Sequence, residues 1–76
     1  MRYFFNIRRG NNEFIPDDEG EEFATLDQAK AEAVLSAKEL ALDALKSGHA
    51  VLGLRVEIAD DAGMVLDTII ARYAYS

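Results

Sequence analysis

Residues 25–48, TLDQAKAEAVLSAKELALDALKSG, constrain the fold more than any other part of the chain. The run opens with Thr25-Leu26-Asp27-Gln28, the spacing of a capping box. In that motif the threonine hydroxyl accepts from the amide three residues on, and the glutamine reaches back to the amide of Thr25. Asp27 suits the positive end of the helix dipole. Nearly every residue that follows is a strong helix former. Lys46 complements the other end of the dipole, and Gly48 is a natural residue just past the last turn. The spacing predicts one helix of about 22 residues, roughly 33 Å long. A lone helix cannot bury its own apolar stripe, so the flanking segments must supply a surface for it.

At about 100° per residue, Leu26, Ala29, Ala33, Ala37, Leu40, Ala41 and Ala44 form that stripe. Small side chains let the helix approach a sheet closely. Glu32, Ser36, Glu39 and Asp43 form the opposing polar arc. Leu35 and Leu42 belong to neither. They are seven residues apart, near the far side from the stripe, with Ala31 and Lys38 close by. Two aligned leucines on a wet face point to a contact surface. The plainer alternative is a wide apolar sector covered by a loop or by the lysine stems.

The segments on either side of the helix read as strands. In residues 2–8, Tyr3, Phe5 and Ile7 alternate with Arg2, Phe4, Asn6 and Arg8, the period of a half-buried strand. Gly10-Asn11-Asn12 is a turn signal, and Glu13-Phe14-Ile15 a short second strand stopped by Pro16. After the helix, Leu54, Val56 and Ile58 alternate with Arg55 and Glu57. Asp60-Asp61-Ala62-Gly63 has the residues of a type I turn. Residues 64–72 form the fourth strand, whose poor alternation predicts a central position or cover on both faces. The expected fold is α+β, in the order β-β-α-β-β. One long helix packs on a four-stranded, mainly antiparallel sheet, in a single domain over residues 1–76.

With 76 residues and no cysteine, the chain has a thin core and no disulfide to support it. Oligomerisation is the remaining support for a small domain, since one histidine, His49, makes a poor metal site. The net charge of −6 opposes binding to nucleic acid or to an anionic membrane, and favours a basic partner. The aromatic start lacks a signal peptide's apolar run, and no apolar stretch is long enough to span a bilayer. A cytoplasmic setting is expected.

Residues 16–23, PDDEGEEF, crowd five carboxylates around one glycine. As a calcium loop the pattern fails at both ends: with Gly20 at the sixth position, Ile15 and Leu26 fall on the first and twelfth. The stretch reads instead as a solvated connection whose charge faces the helix N-terminus. No phosphate loop, metalloprotease helix or nucleophile elbow occurs. No catalytic, cofactor-binding or metal residue is assigned, and the chain reads as a non-enzyme. Arg2, Arg8, Arg55 and Arg72 are all expected on strands. Arg2 and Arg8 share a face with Phe4. That face could stack bases, although salt bridges to Glu13, Glu57 or Asp67 are the simpler expectation.

Arg2-Tyr3-Phe4-Phe5, Ile7-Arg8, Asp17-x-x-Gly20, Ala29-x-Ala31-Glu32-Ala33 and Asp60-x-x-Gly63-x-Val65-Leu66 together resemble a family of short uncharacterised bacterial proteins. These are common in rhizobia and related alphaproteobacteria and carry only a domain-of-unknown-function label. Many members have histidine where this chain has Asn6, so an imidazole role there would be lost here. Residues 1–46 resemble HicB-type antitoxins more loosely, without their proline-glycine-cysteine loop. The expected function is a non-catalytic interaction module that self-associates. The alternatives are antitoxin-like sequestration of a basic partner and weak divalent-cation binding at the acidic loop. The candidate interaction surface comprises Leu35, Lys38 and Leu42 on the helix, and Phe4, Arg8 and Arg55 on the sheet.

Overall fold

A computed structural model describes residues 1–74. The helix, α1, spans Leu26–Lys46 and is capped at both ends. Thr25 is extended and its hydroxyl accepts from the Gln28 amide at 3.2 Å. Gln28 Oε1 accepts from the amide of Ala24 at 3.2 Å, one residue earlier than the capping box predicts, because the extended Thr25 brings that amide into reach. At the other end Gly48 takes a φ of +75°, which L-residues rarely adopt. This lets the Gly48 amide reach the Leu45 carbonyl and the His49 amide the Ala44 carbonyl, at 3.2 and 2.8 Å. Those two bonds are a Schellman stop.

Around α1 the chain forms β1 (Arg2–Arg9), β2 (Glu13–Ile15), β3 (Glu21–Glu22), β4 (Leu54–Ala59), β5 (Val65–Ile70) and a helical turn, α2 (Ala71–Ala74). The sheet order is β2-β1-β4-β5, with β3 pairing the start of β1. Every pairing is antiparallel. The α+β fold is thus as expected, with one strand more. The extra strand lies inside the acidic stretch, where Glu21 and Glu22 pair with Tyr3 and Arg2. A two-residue strand carries too little pattern to announce itself.

The last expected strand needs two corrections. It ends at Ile70, and Ala71 begins α2, so Arg72 is helical rather than on a strand. It is also an edge strand, not a central one. The apolar bulk read as cover on both faces is solvent-facing: Val65, Leu66 and Ile70 are all exposed. Edge position explains the poor alternation, since neither face of β5 needs a full apolar set.

The core lies between α1 and one face of the sheet. Ala29, Ala33, Ala37, Ala41 and Ala44 supply the helix side, and Tyr3, Leu54, Val56 and Ile58 the sheet side. Leu54, Val56 and Ile58 are the largest fully buried side chains, each contributing about 1.5–3 kcal/mol. Phe23, just after β3, packs on Tyr3 and Phe5 at ring separations of 6.2 and 5.9 Å. Methyls on one side and branched chains on the other make two tightly apposed layers, and the Cα envelope is only 17 Å thick. Among the described residues no helix is long and apolar enough to cross a membrane.

Candidate functional site

The expected surface residues divide between opposite sides of the molecule. Phe4, Arg8 and Arg55 lie on the sheet face turned away from α1, while Leu35, Lys38 and Leu42 lie on the helix. No single site contains all six.

On the bare sheet face the register sets Arg8 directly opposite Arg55. Like charges so placed repel. Glu57, on the same face of β4, relieves this by accepting from Arg8 Nε at 2.8 Å. The Arg8 guanidinium also lies 4.3 Å over the Phe14 ring on β2, a cation–π contact. Arg55 donates to the Gly53 carbonyl at 3.2 Å. Arg9 takes Glu13 at 3.3 Å, and Asp67 pairs with Lys30 of α1 rather than with a sheet arginine. Phe14 and Glu57 complete the Arg8 site; Phe14 was missed because β2 is too short for its facing to be read.

Phe4 stands at the other end of that face, over the acidic loop. The loop is organised by Asp17. Its Oδ2 accepts from the Phe5 amide at 3.0 Å, and its Oδ1 from the amides of Glu19 and Gly20 at 3.1 Å. Its own amide donates to Asn6 Oδ1 at 2.9 Å. The carboxylate therefore fills the gap in the β1 edge between β2 and β3. Partial burial raises its pKa, but the three amides and the Arg2 charge outweigh that and hold it below the usual 3.8. Its oxygens serve backbone amides. Among the described residues no group of three or more histidine, cysteine, aspartate or glutamate side chains could hold a metal ion. Gly20 packs against Phe4: a Cβ there would lie 2.7 Å from the ring. His49 is exposed beyond α1, and its amide closes the helix stop.

The two flanks of α1 differ in chemistry. Toward β1, Ser36, Glu39, Leu40 and Asp43 line a groove of about 280 Å³ floored by Phe5, Ile7 and Val56. Toward β5, Lys30 Nζ reaches Asp67 Oδ2 at 3.1 Å. Lys30 and the Thr68 amide both hold the Asp67 carboxyl below 3.8. At about 100° per residue, Val34, Leu45 with Asp27 at the same angle, Lys38, Ala31, Leu42 and Leu35 climb this second flank from sheet to solvent. Leu35, Leu42 and Leu45 are 53, 50 and 50 % exposed, more than a core-facing position would allow. Leu45 extends the expected leucine pair toward the sheet.

A family model described as "Domain of unknown function (DUF6894)" matches residues 2–72. The chain belongs to the DUF6894 family. The match takes in every strand and all of α1, so the surfaces above lie within the DUF6894 domain. No curated protein and no solved structure matches the chain.

Proposed function

We propose that this DUF6894 domain is a small non-catalytic interaction module that associates with copies of itself. The observation carrying this reading is the row of leucines on the outer side of α1, where Leu35, Leu42 and Leu45 are each about half exposed. Contiguous exposed apolar surface marks an interaction site. A thin core without disulfides gives association a second purpose, that of stability. Sedimentation of the wild type and of a Leu35→Lys, Leu42→Lys double variant tests the reading. The wild type should sediment as a dimer or larger at about 50 µM, well above a micromolar Kd. The variant should shift toward monomer. A wild-type monomer at that concentration refutes the reading.

A second reading has its own support on the opposite flank. The Phe5, Ile7, Leu40 groove is rimmed by Glu39 and Asp43, which suits a basic amphipathic segment. Sequestration of a basic partner in the manner of HicB-type antitoxins, or by a related bacterial family, would use that groove. Titration with an arginine-rich amphipathic helical peptide tests it. Binding abolished by Glu39→Lys, Asp43→Lys supports it, and binding unchanged by that pair sinks it.

A further inference from the structure

We propose that the cleft beside Arg55, at one end of the sheet, binds a small organic anion: one carboxylate carried on a short apolar stem.

Charge is not spread evenly in this chain of net charge −6. The acidic loop, the start of α1 and the Asp60-Asp61 turn all lie at the end of the sheet where β1 begins and β4 finishes. The opposite end carries Arg8, Arg9 and Arg55, with Arg72 just past the end of β5. The carboxylates on the neighbouring strands there are already engaged. Arg9 takes Glu13 at 3.3 Å, and Arg8 takes Glu57 at 2.8 Å. A locally positive end of this kind attracts anions even in an acidic protein.

This sharing leaves Arg55 with no carboxylate among the described residues. Its side chain is half-buried, and the register sets it opposite Arg8. It donates to the Gly53 carbonyl at 3.2 Å, an oxygen that also accepts from the Gly10 amide at 3.0 Å. A guanidinium has five N–H donors, so most of its capacity remains unspent. A partly desolvated cation beside a like charge is stabilised by an anion that reaches it.

The fold leaves room for one. Leu52, Gly53, Leu54, Arg55, Ile70 and Arg72 line a cleft of about 290 Å³. Ile70 stands directly opposite Arg55 in the β4–β5 register, so both project from the sheet face turned away from α1. Leu52 and Ile70 are 70 and 45 % exposed, and they give the cleft its apolar surface. The backbone fixes the loop that carries Leu52. Gly53 takes a φ of +86°, and the Leu54 amide donates to the Val51 carbonyl at 3.0 Å. Cation and apolar surface are therefore in place before a ligand arrives. The volume is at the low end of the roughly 300–1,000 Å³ of ligand sites, which sets the ligand small. A carboxylate matches a guanidinium through two parallel N–H bonds, and the stem lies against Leu52 and Ile70. An inorganic anion leaves the apolar surface unused, and a neutral apolar molecule leaves Arg55 unmatched.

Titration of the isotope-labelled chain with hexanoate, followed by its amide NMR shifts, tests this. Acetate and hexanol, at the same ionic strength, separate the two halves of the ligand. Hexanoate should saturate with a Kd of about 1 mM, shifting residues 52–55 and 70–72, and acetate and hexanol should each bind at least about 10-fold more weakly. Arg55→Gln keeps a donor for the Gly53 carbonyl and removes the repulsion with Arg8, so the fold should stand. It should weaken hexanoate at least about 10-fold and leave hexanol unchanged. Leu52→Asp, at an exposed loop position, sets a carboxylate at the mouth of the cleft and should weaken hexanoate to a similar degree. If Arg55→Gln fails to fold, Leu52→Asp decides alone. No saturable shift at these residues up to about 20 mM hexanoate overturns the proposal. So does hexanol binding as tightly as hexanoate, or hexanoate affinity unchanged in the folded variants.

Discussion

Replacing Asp17 with alanine should destabilise the fold far more than a loop aspartate ordinarily would. The structure sets the size of the effect. The Phe5 amide is half buried on the β1 edge between β2 and β3, and the Asp17 carboxylate accepts from it at 3.0 Å. A charge-assisted bond at such a site contributes about 1–1.5 kcal/mol, and its loss leaves a donor poorly solvated. The bonds to Glu19 and Gly20 are wetter and contribute about 0.5 kcal/mol each, since water replaces them. Asp17→Ala should therefore cost about 2–2.5 kcal/mol. For a domain of this size that lowers Tm by about 10–15 °C, read by circular dichroism at fixed chain concentration. The pH dependence gives a second reading. Asp17 titrates below the usual 3.8 when folded, so its contribution is full above that value and is lost as pH falls through the lower folded value. The Tm gap between wild type and Asp17→Ala should be constant from neutrality to about pH 5 and shrink below about pH 3.8. Asp17→Asn, which keeps an acceptor without the charge, should fall between the two. A cost under about 0.5 kcal/mol, or a gap unchanged down to pH 3, refutes the edge-plug role.

Gly20→Ala should lose about 2 kcal/mol by denaturant titration, from its φ of +68° and the clash with Phe4. Gly63→Ala, with φ +84° and open space around it, should lose only about 1 kcal/mol. Thr25→Ala removes the bond to the Gln28 amide and should cost about 1 kcal/mol in the same titration. Ala37→Leu forces added bulk between helix and sheet, where Ala37 is fully buried, and should cost about 2–3 kcal/mol by thermal melting.

The helix was the most legible element because its signals agree with one another. Cap, composition, stripe and glycine stop all name the same bounds, and the five alanines of the expected stripe are the five buried positions of α1. Inward Tyr3, Phe5 and Ile7, and buried Leu54, Val56 and Ile58, follow from alternation alone. The end of β5 failed because Ala71 and Arg72 continue an apolar-then-charged pattern compatible with either strand or helical turn. What makes the turn is the tertiary burial of Ala71 beneath α1. The acidic stretch is largely exposed, as its charge implied, but neither strand β3 nor the role of Asp17 was visible within it. Five carboxylates look alike in a string, and only the missing strand partner of Phe5 singles one out. On the surface, Leu35 and Leu42 were found by angle, whereas the difference between the two flanks of α1 needed the sheet order.

That difference follows from the alanines. A helix whose fully buried positions are all alanines sits low on the sheet and covers little of it sideways, so apolar residues remain uncovered on both flanks. On the β1 side the uncovered residues are Phe5, Ile7 and Leu40, and the helix rims them with Glu39 and Asp43. On the β5 side they are the α1 leucines, and the nearby charges are Asp27, Lys30, Lys38 and the paired Asp67. The acidic rim of the first flank disfavours an acidic occupant there, while the second flank carries charges of both signs. Charge thus distinguishes two otherwise similar apolar surfaces. Because the flanks lie on opposite sides of one helix, an occupant of one would leave the other open.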